Sequence, residues 1–175
     1  MRYGDQTVDA LRAYAAANQE MARQLAAKGE VVDVYIIFRT YVPLEQFRTW
    51  ANTLGIRITD SRVRYVEKSG AYEAFKISSH EESPLPQEEI DDRIKSLQGH
   101  GDIEVRTIRG VYFTHAYVET TQLSQIAADP LVFLTDVTPN VIRNDIGRYD
   151  VQVWYAFPLN PFRRMEELGL QNFSW

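Results

Sequence analysis

A chain of 175 residues, 45% hydrophobic and 12% aromatic, is long and apolar enough for one folded domain with an appendage, which excludes disorder as the default. Its formal charge of −5 and pI near 5.2 work against polyphosphate binding, and the absence of cysteine removes disulfides, thiol nucleophiles and thiolate metal sites together. Met1 leads into polar residues and no apolar run approaches membrane-spanning length, so the chain as it stands reads as soluble, with no signal peptide visible. Localisation stays open, a fragment of a longer or anchored protein included.

Asp5 to Lys28 carries the first helical pattern, about 24 residues and roughly 36 Å if regular. Val8, Leu11, Ala15, Ala22 and Leu25 form a narrow stripe that Asn18 interrupts, and Gly29 is the natural stop. This N-terminal element, residues 1–30, reads as a helix lying on its own domain, with a dimer arm or a stem as the sharper alternatives. Val32 to Val42, rich in β-branched and aromatic residues, reads as a strand. Pro43 stands where a helix begins without losing a needed donor. Leu44, Phe47, Trp50, Ala51 and Leu54 then share one helical face, which Gly55 closes. Arg57 to Val66 and Ala71 to Ser78 follow as strands around the turn Glu67-Lys68-Ser69-Gly70.

His80 to Gln87, with Pro84 and Pro86, reads as a loop leading to an inserted helix at 87–98 whose Ile90, Ile94 and Leu97 face inward. Gly99-His100-Gly101 ends it. Ile103 to Val118 is long for one strand, with a bend or bulge expected at Arg109-Gly110. Thr120 or Thr121 caps a short helix with Leu123, Ile126 and Ala127 buried, and Pro130 blocks its continuation. Val151 to Phe157 reads as a further strand before an aromatic tail ending in Phe173 and Trp175.

Tyr41-Val42 and Tyr117-Val118 stand 76 residues apart, and the same register pairs Gln46 with Gln122, Ala51 with Ala127 and Thr59-Asp60 with Thr135-Asp136. Each copy is an apolar run, a helical segment and a second apolar run, the pattern of two strands joined by a crossover helix. A duplicated β-α-β architecture follows.

Gly110 through Val118 (Gly-Val-Tyr-Phe-Thr-His-Ala-Tyr-Val) and Leu123 through Val137 (Leu-Ser-Gln-Ile-Ala-Ala-Asp-Pro-Leu-Val-Phe-Leu-Thr-Asp-Val) resemble the inhibitor-type propeptides of subtilisin-like proteases. The likeness implies a ferredoxin-like core whose open sheet face meets a protease and whose C-terminal segment approaches the protease active site. The expected fold class is α+β. It comprises a duplicated ferredoxin-like core at 31–147, an antiparallel-containing sheet with helices on one face, the N-terminal helix, and an aromatic C-terminal strand and tail at 148–175.

Strand alternation sets Tyr35, Ile37, Arg39 and Tyr41 on one side and Val34, Ile36, Phe38 and Val42 on the helix side. The repeat places His115 over Arg39 and Tyr117 over Tyr41. A face carrying Tyr35, Ile37, Tyr41, Val111, Phe113 and Tyr117 is more apolar than a monomer normally leaves wet. Either the C-terminal tail or N-terminal helix covers it, or it binds something. The candidate ligand- or partner-binding residues are therefore Tyr35, Arg39, Tyr41, Phe113, His115 and Tyr117.

His80, His100 and His115 lack metal-ligand spacing, so no metal and no cofactor is expected. Glu81-Glu82, Glu88-Glu89 and Asp91-Asp92 read as a solvated face, and no catalytic or nucleotide-binding motif occurs. Arg62-Val63-Arg64-Tyr65 beside an aromatic sheet is similar to single-stranded RNA platforms, but the net charge opposes a nucleic-acid partner. The expected function is a non-enzymatic protein- or self-interaction module, with a protein partner or homo-oligomer and no membrane insertion. The alternatives are a propeptide-like protease inhibitor or chaperone, and a small-ligand or enzymatic pocket around Arg39 and His115.

Overall fold

The computed structural model describes residues 8–80, 83–99 and 104–138. It contains, in order, helix α1 (Val8–Leu25) with a terminal 3-10 turn (Ala26–Lys28), strand β1 (Val31–Val42), helix α2 (Leu44–Leu54), strands β2 (Arg57–Glu67) and β3 (Tyr72–Ser78), helix α3 (Gln87–Gly99), strand β4 (Val105–Glu119), helix α4 (Thr120–Ala128) and strand β5 (Val132–Asp136). Both expected repeats are therefore strand, helix and strand: β1-α2-β2 and β4-α4-β5. The sheet order is β3-β2-β4-β1-β5, so the two strands of each repeat are not neighbours. This interleaving, with antiparallel pairs β1-β5, β2-β4 and β2-β3, is the ferredoxin-like arrangement with β3 added at one edge. The strand and tail expected beyond residue 147 lie outside the described residues.

The chain divides into two compact units, Met1–Arg39 with Val118–Trp175, and Thr40–Tyr117. In the first, α1 packs on β5 and α4. Ala15, Asn18, Ala22 and Leu25 recur every three or four residues and are all buried, so the helix is held through one stripe. Asn18 does not interrupt that stripe but anchors it. Its Oδ1 accepts from the Val137 amide and the Thr138 hydroxyl, each at 3.2 Å, and its Nδ2 donates to the Tyr14 carbonyl. Beside it the Tyr14 hydroxyl donates to Asp136 Oδ2 at 2.7 Å, while Asp136 Oδ1 accepts the Thr138 amide at 2.9 Å. A buried polar group unpaired would cost more than its hydrogen bond returns, so these contacts fix the helix in one position on β5.

Burial raises the Asp136 carboxyl above its usual range, against the bonds from Tyr14 and Thr138. Burial, and then the facing carboxylate, push the Tyr14 hydroxyl up to about 12, which keeps it a donor.

β5 is buried at all five positions, and β1 is buried at Val32–Val34 and again at Ile36–Phe38. Both faces of these stretches are covered. Ile37, expected on an open face, is fully buried opposite Leu134. The start of α4 also differs from expectation: Glu119 is its N-cap, and Thr120 is the first helical residue. The Thr120 hydroxyl accepts from the Glu30 amide at 3.1 Å, while the Thr120 amide donates to the Glu30 carbonyl.

In the second unit α2 buries Phe47, Trp50, Ala51 and Leu54, as their spacing requires. Gly55 ends it at φ 63°, its amide bonded to the Asn52 carbonyl. Arg48 ties α2 to the loop before α3, its Nε donating to the Leu85 carbonyl at 2.9 Å and one terminal nitrogen to Gln87 Oε1 at 2.8 Å. The β2-β3 hairpin closes through the Gly70 amide on the Glu67 carbonyl. Gly110 lies where the bend was expected, at φ 132°, and a Cβ there would sit 2.3 Å from the Val42 carbonyl oxygen.

Two outcomes are expected. Gly110→Ala combines a φ reserved for glycine with a backbone clash, and should cost on the order of 3 kcal/mol or more in urea denaturation. A near-normal midpoint would show that β4 does not approach Val42 this closely. Asp136 has a raised folded pKa, so its contribution is fully present below the unfolded value of about 4 and is lost as pH rises through the folded value. Asp136→Asn should therefore gain stability relative to the parent on going from about pH 4 to pH 7; a gap that stays constant would contradict this.

Candidate functional site

The register of β2 on β4 decides which side chains face outward. Ile58 pairs with Ala116, Ser61 with Thr114 and Val63 with Val111, and all six are buried. Ser61 Oγ and Thr114 Oγ1 satisfy each other at 3.0 Å within that core. The other side carries Arg57 opposite Tyr117, Asp60 opposite His115, and Arg62 opposite Phe113, with Lys76 of β3 beyond Arg62. Arg57, Arg62 and Lys76 are exposed, while Asp60, Phe113, His115 and Tyr117 are half-buried.

This alternation holds only because the register shifts. Thr59 is an extra residue on β2, and Tyr112 is an extra residue on β4. An odd insertion moves every following side chain to the opposite face. Val111 and Phe113, two apart, were expected together on the open side. The insertion at Tyr112 instead turns Val111 into the core.

Four of the six candidate residues, Tyr41, Phe113, His115 and Tyr117, belong to the second unit, and Tyr35 and Arg39 belong to the first. Within the second unit the rings of His115 and Tyr117 lie 5.9 Å apart, and the Arg57 guanidinium lies 4.9 Å from the Tyr117 centroid. Tyr41 has Arg109 at 5.8 Å from its ring. In the first unit, Tyr35 is half-buried opposite Asp136. Arg39 is half-buried, and burial lowers the pKa of its guanidinium.

Sequence reasoning did not place Asp60 on this face. Its carboxylate lies 3.1 Å from Lys76 Nζ and 3.6 Å from His115 Nδ1. Burial alone would raise its pKa, but the contacts with His115 and Lys76 outweigh that and hold it below the usual carboxylate range. The available signal was the pattern Asp60, Arg62, Arg64 at alternate positions of one strand.

His80 lies in its expected loop, 3.5 Å from Glu89, and His100 lies outside the described residues. Among the described residues no group of three or more His, Asp or Glu side chains is placed to hold a metal ion. No helix among them is long and apolar enough to cross a membrane. No family model, curated protein or solved structure matches the chain.

A depressed folded pKa makes Asp60 stabilising above its unfolded value, and that contribution is lost as pH falls through the folded one. Below about pH 4 the parent should lose stability faster than Asp60→Asn, whose side chain does not titrate. Parallel midpoints for the two proteins down to acid pH would remove the ion-pair account.

Proposed function

We propose that this chain is a non-enzymatic interaction module that works through the open sheet face of β2, β3 and β4. The observation that carries the reading is the row of half-exposed rings, Phe113, His115 and Tyr117, alternating with buried Thr114 and Ala116 and flanked by exposed Arg57 and Arg62. Aromatic and arginine side chains bring large contact area together with hydrogen-bonding capacity, which is why they are enriched where proteins bind one another. Tyr41 extends the aromatic content of this unit. Tyr35 and Arg39 are the first unit's contribution to the candidate set. The partner is another protein or a second copy of the chain.

A photo-crosslinking amino acid in place of Tyr117, in cells producing the protein, is expected to give discrete products of higher mass. The same group in place of Gln46, exposed on α2, is expected to give none. Indistinguishable patterns from the two positions would reject the reading, and the product mass separates a second copy from a different protein.

A further inference from the structure

We infer that the open face of β2, β3 and β4 receives an acidic segment of a different protein, in which carboxylates alternate with apolar side chains. The inference rests on the interaction reading above and names the partner's chemistry. Three exposed cations, Arg57, Arg62 and Lys76, belong to the outward register of the paired stretch of these strands, against the single carboxylate of Asp60, while Arg64 in the same register is buried. Asp60 is already engaged by Lys76 at 3.1 Å and His115 at 3.6 Å. Arg57 and Arg62 are exposed and have no ion pair among the described residues.

The Tyr117 ring beneath Arg57, 4.9 Å from the guanidinium carbon, gives that group a surface to rest on while its N–H edges remain able to grip a carboxylate in bidentate fashion. The half-buried rings of Tyr117 and Phe113, opposite Arg57 and Arg62 on β4, offer apolar contact beside the charges. A partner matching both features carries acidic and apolar residues interspersed.

Charge also disfavours the other occupants. A two-fold dimer through this face maps the patch onto itself, setting the cations of one copy against those of the other. Nucleic-acid affinity grows with the number of phosphates neutralised, and the Arg57 and Arg62 guanidiniums of this face, on a chain of net charge −5, neutralise few.

The test uses the full chain with three fluorescent probes: a short peptide of alternating glutamate and leucine, its lysine-leucine counterpart, and a single-stranded oligothymidylate. Anisotropy at low salt is expected to show binding of the glutamate peptide, weakened by added salt. The Arg57→Glu, Arg62→Glu double variant should bind it at least about tenfold more weakly, while Arg93→Glu, Lys95→Glu on α3 stays within about twofold of the parent. Urea midpoints confirm that each variant is folded, and amide chemical-shift changes locate the bound peptide.

The inference is overturned if the glutamate peptide fails to bind, if both double variants weaken it equally, or if either other probe binds more tightly. Should another probe bind and shift the β2 and β4 amides, the face is still an interaction surface and only the acidic partner is wrong. Should no probe shift those amides and the crosslinks at Tyr117 and Gln46 agree, the interaction reading falls with it.

Discussion

The backbone hydrogen bonds between β2 and β4 set the chemistry of the second unit, because their register determines which residues are core and which face outward. Two strands in uninterrupted register would send every second residue outward. Here Thr59 adds a residue to β2 and Tyr112 adds one to β4, so buried pairs persist on both sides of each insertion. The Thr59 hydroxyl donates to the His115 carbonyl at 3.0 Å, which gives the inserted residue a bond of its own. Gly110 completes the arrangement by letting the β4 backbone come close to the end of β1 at Val42, where any side chain would collide.

Local periodicity made the elements legible. Phe47, Trp50, Ala51 and Leu54 announce α2 because a helix must put them on one side, and Gly55 ends it because its left-handed φ is cheap only for glycine. The repeat register anticipated the order strand, helix, strand in both copies. What sequence could not reveal was the phase of β4, since a bulge depends on the partner strand as well as on the bulged one. Val111 was assigned to the wrong side for this reason, while Phe113, His115 and Tyr117, beyond the insertion, keep the expected alternation. Ile37 failed differently: alternation describes a strand with one covered face, and its stretch of β1 is covered on both.

Asp60 and Asp136 occupy the same position in the repeat and show how little a residue type says about its role. Asp136 is fully buried, and the groups around it are neutral donors, Tyr14 and the Thr138 amide. Desolvation prevails and the carboxyl is biased toward its protonated form. Asp60 keeps some solvent and faces Lys76 and His115, so its charged form is favoured. One aspartate serves to seat a helix, and its counterpart holds two side chains of the open face. The difference originates in the neighbours that tertiary structure supplies: Tyr14 lies 122 residues from Asp136 in the chain, and Lys76 and His115 are likewise remote from Asp60.

Asp60 also explains why the open face is not uniformly basic. By engaging Lys76 and His115 it fixes the middle of the face, and Arg57 and Arg62, on either side of it along β2, have no ion pair among the described residues. In the proposed complex, two separated guanidiniums would select for carboxylates at a defined spacing, whereas a continuous basic strip would accept any polyanion. The net negative charge of the chain disfavours the approach of polyanions and of other acidic copies in bulk. Specificity in that proposed complex would come from local attraction set in a repulsive field: the partner would have to present its acidic residues at this face to gain anything from approach.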